Sequence, residues 1–252
     1  MNTFASPVAE KLVAHRGYPQ RYPENTLPGL LAAMELGAQF VELDVQLSRD
    51  LVPFVVHDSN MSRTGGASLA IADHNANEVS TWSAGYHQRF GDEFAAVTVP
   101  TLEQFKTLLH QFPSVCVFVE IKQHAIDVAG EETVAGAIAS VLTDVMHQAV
   151  VISMNQQVLR RMRSEFGFRI GWVLPQGGEE RHRSAIDLSP EFLFCDVVWL
   201  DQVDVEPWQA DWRLAVYTIN NAAMARRQWA RGVDLVETDN FGDMLPALTA
   251  AG

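Results

Sequence analysis

The stretch Phe40–His57, FVELDVQLSRDLVPFVVH, holds two runs that both read as strands, FVELDV (40–45) and VPFVVH (52–57), with QLSRDL between them. Side-by-side parallel strands need a crossover of about a dozen residues or more, which QLSRDL cannot supply. The second run therefore reads as the return arm of a β-hairpin extending from the first. That reading decides the fold, because eight other β-branched runs remain: LVAH (12–15), FVELDV itself, VCVFVEIK (115–122), AVVIS (149–153), FRIGWVL (168–174), CDVVWL (195–200), LAVYTI (214–219) and VDLVET (233–238). They alternate with longer amphipathic stretches, the pattern of parallel strands joined by helices. Eight such strands predict an α/β fold of the (β/α)8 barrel type, with a small insertion after the hairpin that follows strand 2. A doubly wound open sheet fits the same alternation, since strand number alone does not prove closure.

Helix signals support the alternation. Leu27, Leu30, Leu31 and Met34 form an apolar stripe at i, i+3, i+4 and i+7 that starts near Asn25 or Thr26 and stops at Gly37. Thr101 followed three residues later by Gln104 is a capping box, which opens a second helix. Further helices are expected over 130–147, 155–165 and 221–231. Residues 58–99 break the rhythm with mixed polarity and scattered aromatics (Trp82, Tyr86, Phe90, Phe94), and read as a cap-like insertion on one domain spanning 1–252 or as a long solvent loop.

Composition narrows the function. Asp and Glu outnumber Lys and Arg by 31 to 18, a formal net charge of -13, which argues against a nucleic-acid partner. The start, MNTFASPVAEK, lacks a basic segment followed by an apolar one, and no run of about 18 uncharged apolar residues occurs, so neither export nor stable membrane insertion is expected. The two cysteines, Cys116 and Cys195, lie in apolar runs and read as reduced buried thiols, which agrees with a cytoplasmic location.

In a barrel of this kind the site gathers at the C-terminal strand ends, so polar residues there are weighed together. They are His15 and Arg16, Glu42 and Asp44, Glu120 and Lys122, Thr218, Thr238 and Asp239, with His57 ending the hairpin arm. Side chains alternate along a strand, so Glu42 and Asp44 share a face, as do Glu120 and Lys122. Three carboxylates at two strand ends repel one another in a partly buried mouth unless a cation lies between them, and an all-oxygen donor set favours Mg2+ or Ca2+. Arg16 and Lys122 ask for an anion such as phosphate, although a structural ion-pair network with the same carboxylates explains them too. His15 and His57 suit proton transfer near neutral pH, against the plainer reading of hydrogen-bonded strand-end residues. His74, His87, His110, His124, His147 and His182 are given no role.

HRGYPQRYPENT, VELDVQLSRDLVPFVVHDSNMSRTGG, PTLEQF, FVEIK, VISMNQQVL, VYTIN and GVDLVETD, in this order, resemble the successive signatures of the glycerophosphodiester phosphodiesterase family. The resemblance implies a (β/α)8 barrel with an insertion at 58–99 and divalent-metal-dependent hydrolysis of small-molecule glycerophosphodiesters to glycerol 3-phosphate and an alcohol. It implies His15 and His57 as the catalytic pair, Glu42, Asp44 and Glu120 as metal ligands, and Arg16 and Lys122 as phosphate contacts. Two departures stand out: the family often has tryptophan where Tyr217 precedes Thr218, and proline after the final TD, where this chain reads ETDNF. Tyr217, still aromatic, is a candidate pocket-lining residue. A lipid-cleaving phosphodiesterase on a related barrel and a non-catalytic anion-binding barrel are the rival readings.

Overall fold

Nine strands form one sheet in the computed structural model, which describes residues 7–175, 180–202, 208 and 210–250. They are β1 (Leu12–Ala14), β2 (Phe40–Leu47), β3 (Pro53–Val55), β4 (Cys116–Ile121), β5 (Ala149–Ser153), β6 (Arg169–Val173), β7 (Phe192–Asp196), β8 (Arg213–Tyr217) and β9 (Leu235–Thr238). The order β1-β9-β8-β7-β6-β5-β4-β2 is parallel throughout, and pairing of β1 with β2 closes it into an eight-stranded barrel with helices between the strands. The fold is a (β/α)8 barrel. The first six residues, read above for an export signal, lie outside the described residues.

β3 is the hairpin arm expected from the short QLSRDL link. It pairs antiparallel with the far end of β2, Val45 opposite Val55 and Leu47 opposite Pro53. Its place follows from unequal strand lengths. β1 ends at Ala14, paired with Val41, so the outer edge of β2 is open beyond that point, and β3 occupies it. The Val56 N–H then donates to the Asp44 carbonyl at 2.9 Å, and the Gln46 amide donates to the His57 carbonyl at 2.9 Å. These bonds bring His57 to the barrel mouth.

The strand pleat divides the side chains into two cores. Val13, Phe118, Val150, Ile152, Val173, Phe194, Ala215 and Leu235 point inward, while Leu12, Val41, Leu43, Val119, Val151 and Val236 pack outward against the helices. Phe118 meets Phe192 and Phe194 at ring distances of 4.9 and 5.0 Å, which blocks the barrel beneath the mouth. Gly171 makes room for them: a Cβ there would lie 2.8 Å from Ile152 Cγ2. The mouth is thus a cup closed from below.

Helices over Leu27–Glu35, Leu102–Leu109, Glu131–Leu142, Gln156–Phe166 and Ala222–Ala230 match the sequence signals, with Thr26 capping the first and the Thr101–Gln104 box opening the second. One strand assignment is corrected. The run CDVVWL was expected to be a strand over 195–200, but β7 is Phe192–Asp196 and Val197–Gln202 is helical. The Asp196 carboxylate accepts from the Val198 N–H at 2.7 Å and so starts a helical turn. Val197 and Leu200 are buried at this spacing while Val198 is 58% exposed, a period of three where a strand has two. A short continuous apolar run carries no periodicity that separates the two outcomes.

Residues 58–99 build a small apolar cluster of Met61, Ile71, Val79, Ala84 and Val99 around Phe54 of β3. Phe94 meets Tyr22 at 5.6 Å, setting this segment against the loop that follows β1. Cys195 is a buried free thiol, and Cys116 a partly buried one. Among the described residues, no helix is long and apolar enough to cross a membrane.

Candidate active site

At the C-terminal ends of the strands a cavity of about 190 Å³ is lined by His15, Arg16, Glu42, His57, Glu120, Lys122, Tyr217 and Glu237, above an apolar floor that includes Ile152 and Phe194. Seven of these were singled out from the sequence. Asp44 completes that set from behind the wall, fully buried. The alternation of β2 sends Glu42 and Asp44 inward, and Asp44 lies in register with Glu120 of β4, which places carboxylates from two strands side by side. Oxygens of Glu42, Asp44 and Glu120 all come within 4.8 Å of one another.

The turn after β1 has a demanding backbone. Arg16 and Asn25 have positive φ (53° and 56°), and Gly17 sits at 91°. A Cβ on Gly17 would lie 2.6 Å from the Gly29 carbonyl carbon, so only glycine lets the first helix approach the strand this closely. The turn aims the Arg16 N–H at Glu42 Oε2 (3.1 Å), and Asn25 holds Asp44 from both sides, donating to Oδ2 at 2.8 Å and accepting from the Asp44 N–H at 3.1 Å.

Electrostatics separates the carboxylates. Burial disfavours charge on Asp44, but Arg16 and Lys122 outweigh it and hold its carboxyl well below the usual carboxylate range. Burial together with the charges of Asp44, Glu237 and Glu120 drives Glu42 well above that range. Glu120 is raised by burial and by Asp44, against Lys122. Glu237 is pushed up to about 7, first by burial, with His15 opposing and Glu120 adding to it. Fully ionised, the four carboxylates of this cup would outnumber its two permanent cations, Arg16 and Lys122, and the raised carboxyls register that repulsion.

Three buried oxygens make the same point locally: Glu42 Oε1, Asp44 Oδ1 and Glu237 Oε1 receive no hydrogen bond. Asp44 Oδ1 lies 3.2 Å from Lys122 Nζ, close enough for attraction but without hydrogen-bond geometry. Lys122 Nζ also donates to Glu120 Oε1 at 3.0 Å. Unpartnered buried oxygens, an all-oxygen donor set and a surplus of carboxylates over cations fit a hard divalent cation held by Glu42, Asp44 and Glu120. A second grouping, His15, Glu42 and Glu237, has the same proximity.

Each histidine is oriented by an aspartate. His15 Nδ1 is 2.7 Å from Asp239 Oδ1, and His57 Nδ1 is 2.6 Å from Asp58 Oδ1. Burial lowers the His15 pKa, but Glu237 and Asp239 outweigh it and the net direction is upward. For His57, burial lowers the pKa and Asp44 opposes; with Arg16 and Lys122 adding to the lowering, it stays below the ordinary value. His15 Nε2 faces Glu42 Oε2 at 4.0 Å. His57 Nε2 has no hydrogen-bond partner among the described residues. The two imidazoles are thus shifted in opposite directions, His15 toward its charged form and His57 toward its neutral one.

The sequence model of the glycerophosphoryl diester phosphodiesterase family matches residues 15–243. The chain belongs to that family. A glycerophosphodiester phosphodiesterase of Bacillus altitudinis is 37% identical over 112 residues, 44% of this chain and 45% of its own length. One from Caldanaerobacter subterraneus subsp. tengcongensis is 33% identical over 153 residues, 60% of this chain and 61% of its own. The matches thus span about half the length of these curated relatives. The solved structure of an Oleispira antarctica phosphodiesterase, in complex with the product sn-glycerol-3-phosphate, superposes with a TM-score of 0.82 at 25% identity, covering 94% of this chain and 96% of that one.

Within this glycerophosphoryl diester phosphodiesterase-family barrel, sequence reasoning missed Glu237 and left Asp239 without a role. Thr238 and Asp239 drew attention as the polar end of β9, but Thr238 points away from the cavity and bonds Asn220 at 2.8 Å. Glu237 takes the inward position two residues after Leu235. The available signal was weak: an acid following two apolar residues in a run that also holds Asp234 and Thr238. Asp58, Glu24 and Arg63 were also missed. His124, close to Lys122 in sequence, lines a different cavity.

Proposed function

We propose that this protein hydrolyses glycerophosphodiesters to sn-glycerol 3-phosphate and an alcohol at the barrel mouth, with one divalent cation, Mg2+ or Ca2+, held by Glu42, Asp44 and Glu120. The observation that carries this reading is the shared cavity: two aspartate-oriented histidines line the same cup as a cluster of buried carboxylates with unpartnered oxygens. Family membership and the product bound in the Oleispira neighbour support it. The cavity is smaller than the roughly 300–1,000 Å³ of sites for drug-sized ligands, which suits a compact polar substrate.

His57 and His15 divide the proton work. His57, kept neutral, takes the proton from the glycerol hydroxyl next to the phosphorylated one, and that oxygen bonds to phosphorus. The bond from phosphorus to the alcohol oxygen breaks, and His15, shifted toward its charged form, protonates that oxygen as it leaves. The product of this step is a cyclic phosphate, which water opens to glycerol 3-phosphate with the two histidines exchanging roles. An internal hydroxyl gains effective molarity worth up to about 7–11 kcal/mol. A bound divalent cation supplies Lewis acidity and positive charge against the phosphate. Arg16 Nη1 is taken by Glu24 at 2.8 Å, while Nη2 has no hydrogen-bond partner among the described residues and is available to a phosphate oxygen. Lys122 balances a second oxygen, and Tyr217 walls the pocket. The free thiols fit a reducing compartment, and with it the cytoplasm.

The test is a coupled assay of glycerol 3-phosphate release across choline, ethanolamine, glycerol and inositol diesters, under Mg2+, Ca2+ and chelator in turn. Release that needs a cation is expected. Absence of release from every diester with either cation present would overturn the proposal.

A further inference from the structure

Arg63, in the segment after the hairpin, joins the surroundings of His57 to those of Arg16. Its Nη1 and Nη2 donate to Glu24 Oε2 and Oε1 at 2.6 and 2.7 Å, and its Nε donates to Asp58 Oδ2 at 2.8 Å. The other Asp58 oxygen holds His57 Nδ1 at 2.6 Å, and Glu24 Oε1 also accepts from Arg16 Nη1 at 2.8 Å. The relay His57–Asp58–Arg63–Glu24–Arg16 is therefore continuous. Arg63 is itself held in place: its guanidinium lies 5.7 Å from the Tyr86 ring, and Tyr86, Phe90, Phe94 and Tyr22 follow one another at 6.3, 5.3 and 5.6 Å. Tyr22 lies two residues before Glu24, so this aromatic row docks the inserted segment on the loop that carries the relay's other half.

We infer that Arg63 is a positioning residue that fixes His57 and Arg16 relative to each other, and that this is the inserted segment's contribution to the reaction; the inference rests on the function proposed above. Asp58 can keep the proton on His57 Nδ1, and so leave Nε2 basic, while its carboxylate holds one orientation. It is 27% exposed, so a second anchor is needed against rotation toward water, and Arg63 Nε supplies one. On the other side, Glu24 occupies one edge of Arg16 and leaves Nη2 for a phosphate oxygen. A guanidinium presents donors along two edges at once, and a lysine ammonium at the same place cannot hold a bidentate pair with Glu24 and a third bond to Asp58.

The test compares wild type, Arg63→Lys and Arg63→Met. Steady-state kinetics on a glycerophosphodiester with saturating cation is paired with proton NMR of the low-field Nδ1–H of His57, assigned by its loss in His57→Gln. Supporting residues of this kind contribute roughly 10–100-fold to activity, and kcat should fall by about that factor in Arg63→Lys and further in Arg63→Met. The His57 resonance should shift or broaden while that of His15, held by Asp239, stays in place. Wild-type kcat in Arg63→Lys with an unmoved His57 signal overturns the inference, as does a kcat loss with that signal unmoved, which would mean a general loosening of the insertion. If Arg63→Met fails to fold, Arg63→Lys decides alone. If wild type turns over no diester, the function falls and the NMR comparison still decides whether Arg63 positions His57.

Discussion

Replacing Glu237 with glutamine should stabilise the cation-free protein, and by more at pH 8 than at pH 5. Glu237 is 4% exposed, and burial first, with Glu120 and Asp44 adding and His15 opposing, pushes its carboxyl up to about 7. Against the 4.5 of an unstructured glutamate, ionising it inside the fold costs about 3 kcal/mol once the pH is above 7. The sign follows from proton counting. Between pH 4.5 and 7 the folded chain holds this proton and the unfolded chain has released it, so the carboxyl's contribution to stability falls as pH climbs through that window and is flat above it. Glutamine keeps the shape and cannot ionise. Urea unfolding in chelator should then show Glu237→Gln more stable by about 3 kcal/mol at pH 8 and by about 1 kcal/mol at pH 5. Saturating Mg2+ or Ca2+ should narrow the gap at pH 8, because a cation in the cup removes the repulsion that the substitution relieves. Equal stabilities at both pH values, or a less stable variant at pH 8, would refute the view that the carboxylates of this cup repel one another.

His15→Ala and His57→Ala should each lower kcat by at least about 10²-fold, the usual worth of an acid–base group, with circular dichroism unchanged; near-normal rates in both would remove them from the chemistry. The pH–rate profile should have its acid limb below the ordinary histidine value, set by His57 losing its basic form, and its alkaline limb above that value, set by His15 losing its proton. Limbs in the reverse order, tracked through His57→Gln, would exchange the two roles. A substrate analogue lacking the neighbouring glycerol hydroxyl should bind but not turn over, and full activity on it would exclude the internal attack.

The barrel was legible because its strands are buried on both faces and read as apolar runs, and because QLSRDL is too short for a crossover and so demotes one of nine runs to a hairpin arm. Apolar runs without alternation are also why CDVVWL was misplaced: Asp196, not the hydrophobic pattern, decides where β7 stops. Candidate site residues were readable from alternation, since β2 carries Glu42 and Asp44 on one face, β4 carries Glu120 near its C-terminal end, and Lys122 follows it. Glu237 was not, because in VDLVET each face mixes apolar and polar residues, Val233, Leu235 and Glu237 against Asp234, Val236 and Thr238, and the inward parity becomes visible only once Leu235 is seen inside the barrel. Arg63 and Glu24 meet through hydrogen bonds between residues 39 apart in sequence, and that contact ties Asp58 to the Arg16 side of the site. No local pattern encodes such a pairing.

The most direct test of the account is an anomalous difference map of crystals grown with Mn2+ and sn-glycerol 3-phosphate. The account predicts one metal peak at about 2.0–2.6 Å from oxygens of Glu42, Asp44 and Glu120, with the phosphate in contact with His15, His57 and Arg16. A metal bound elsewhere, or a phosphate seated outside this cup, would contradict it.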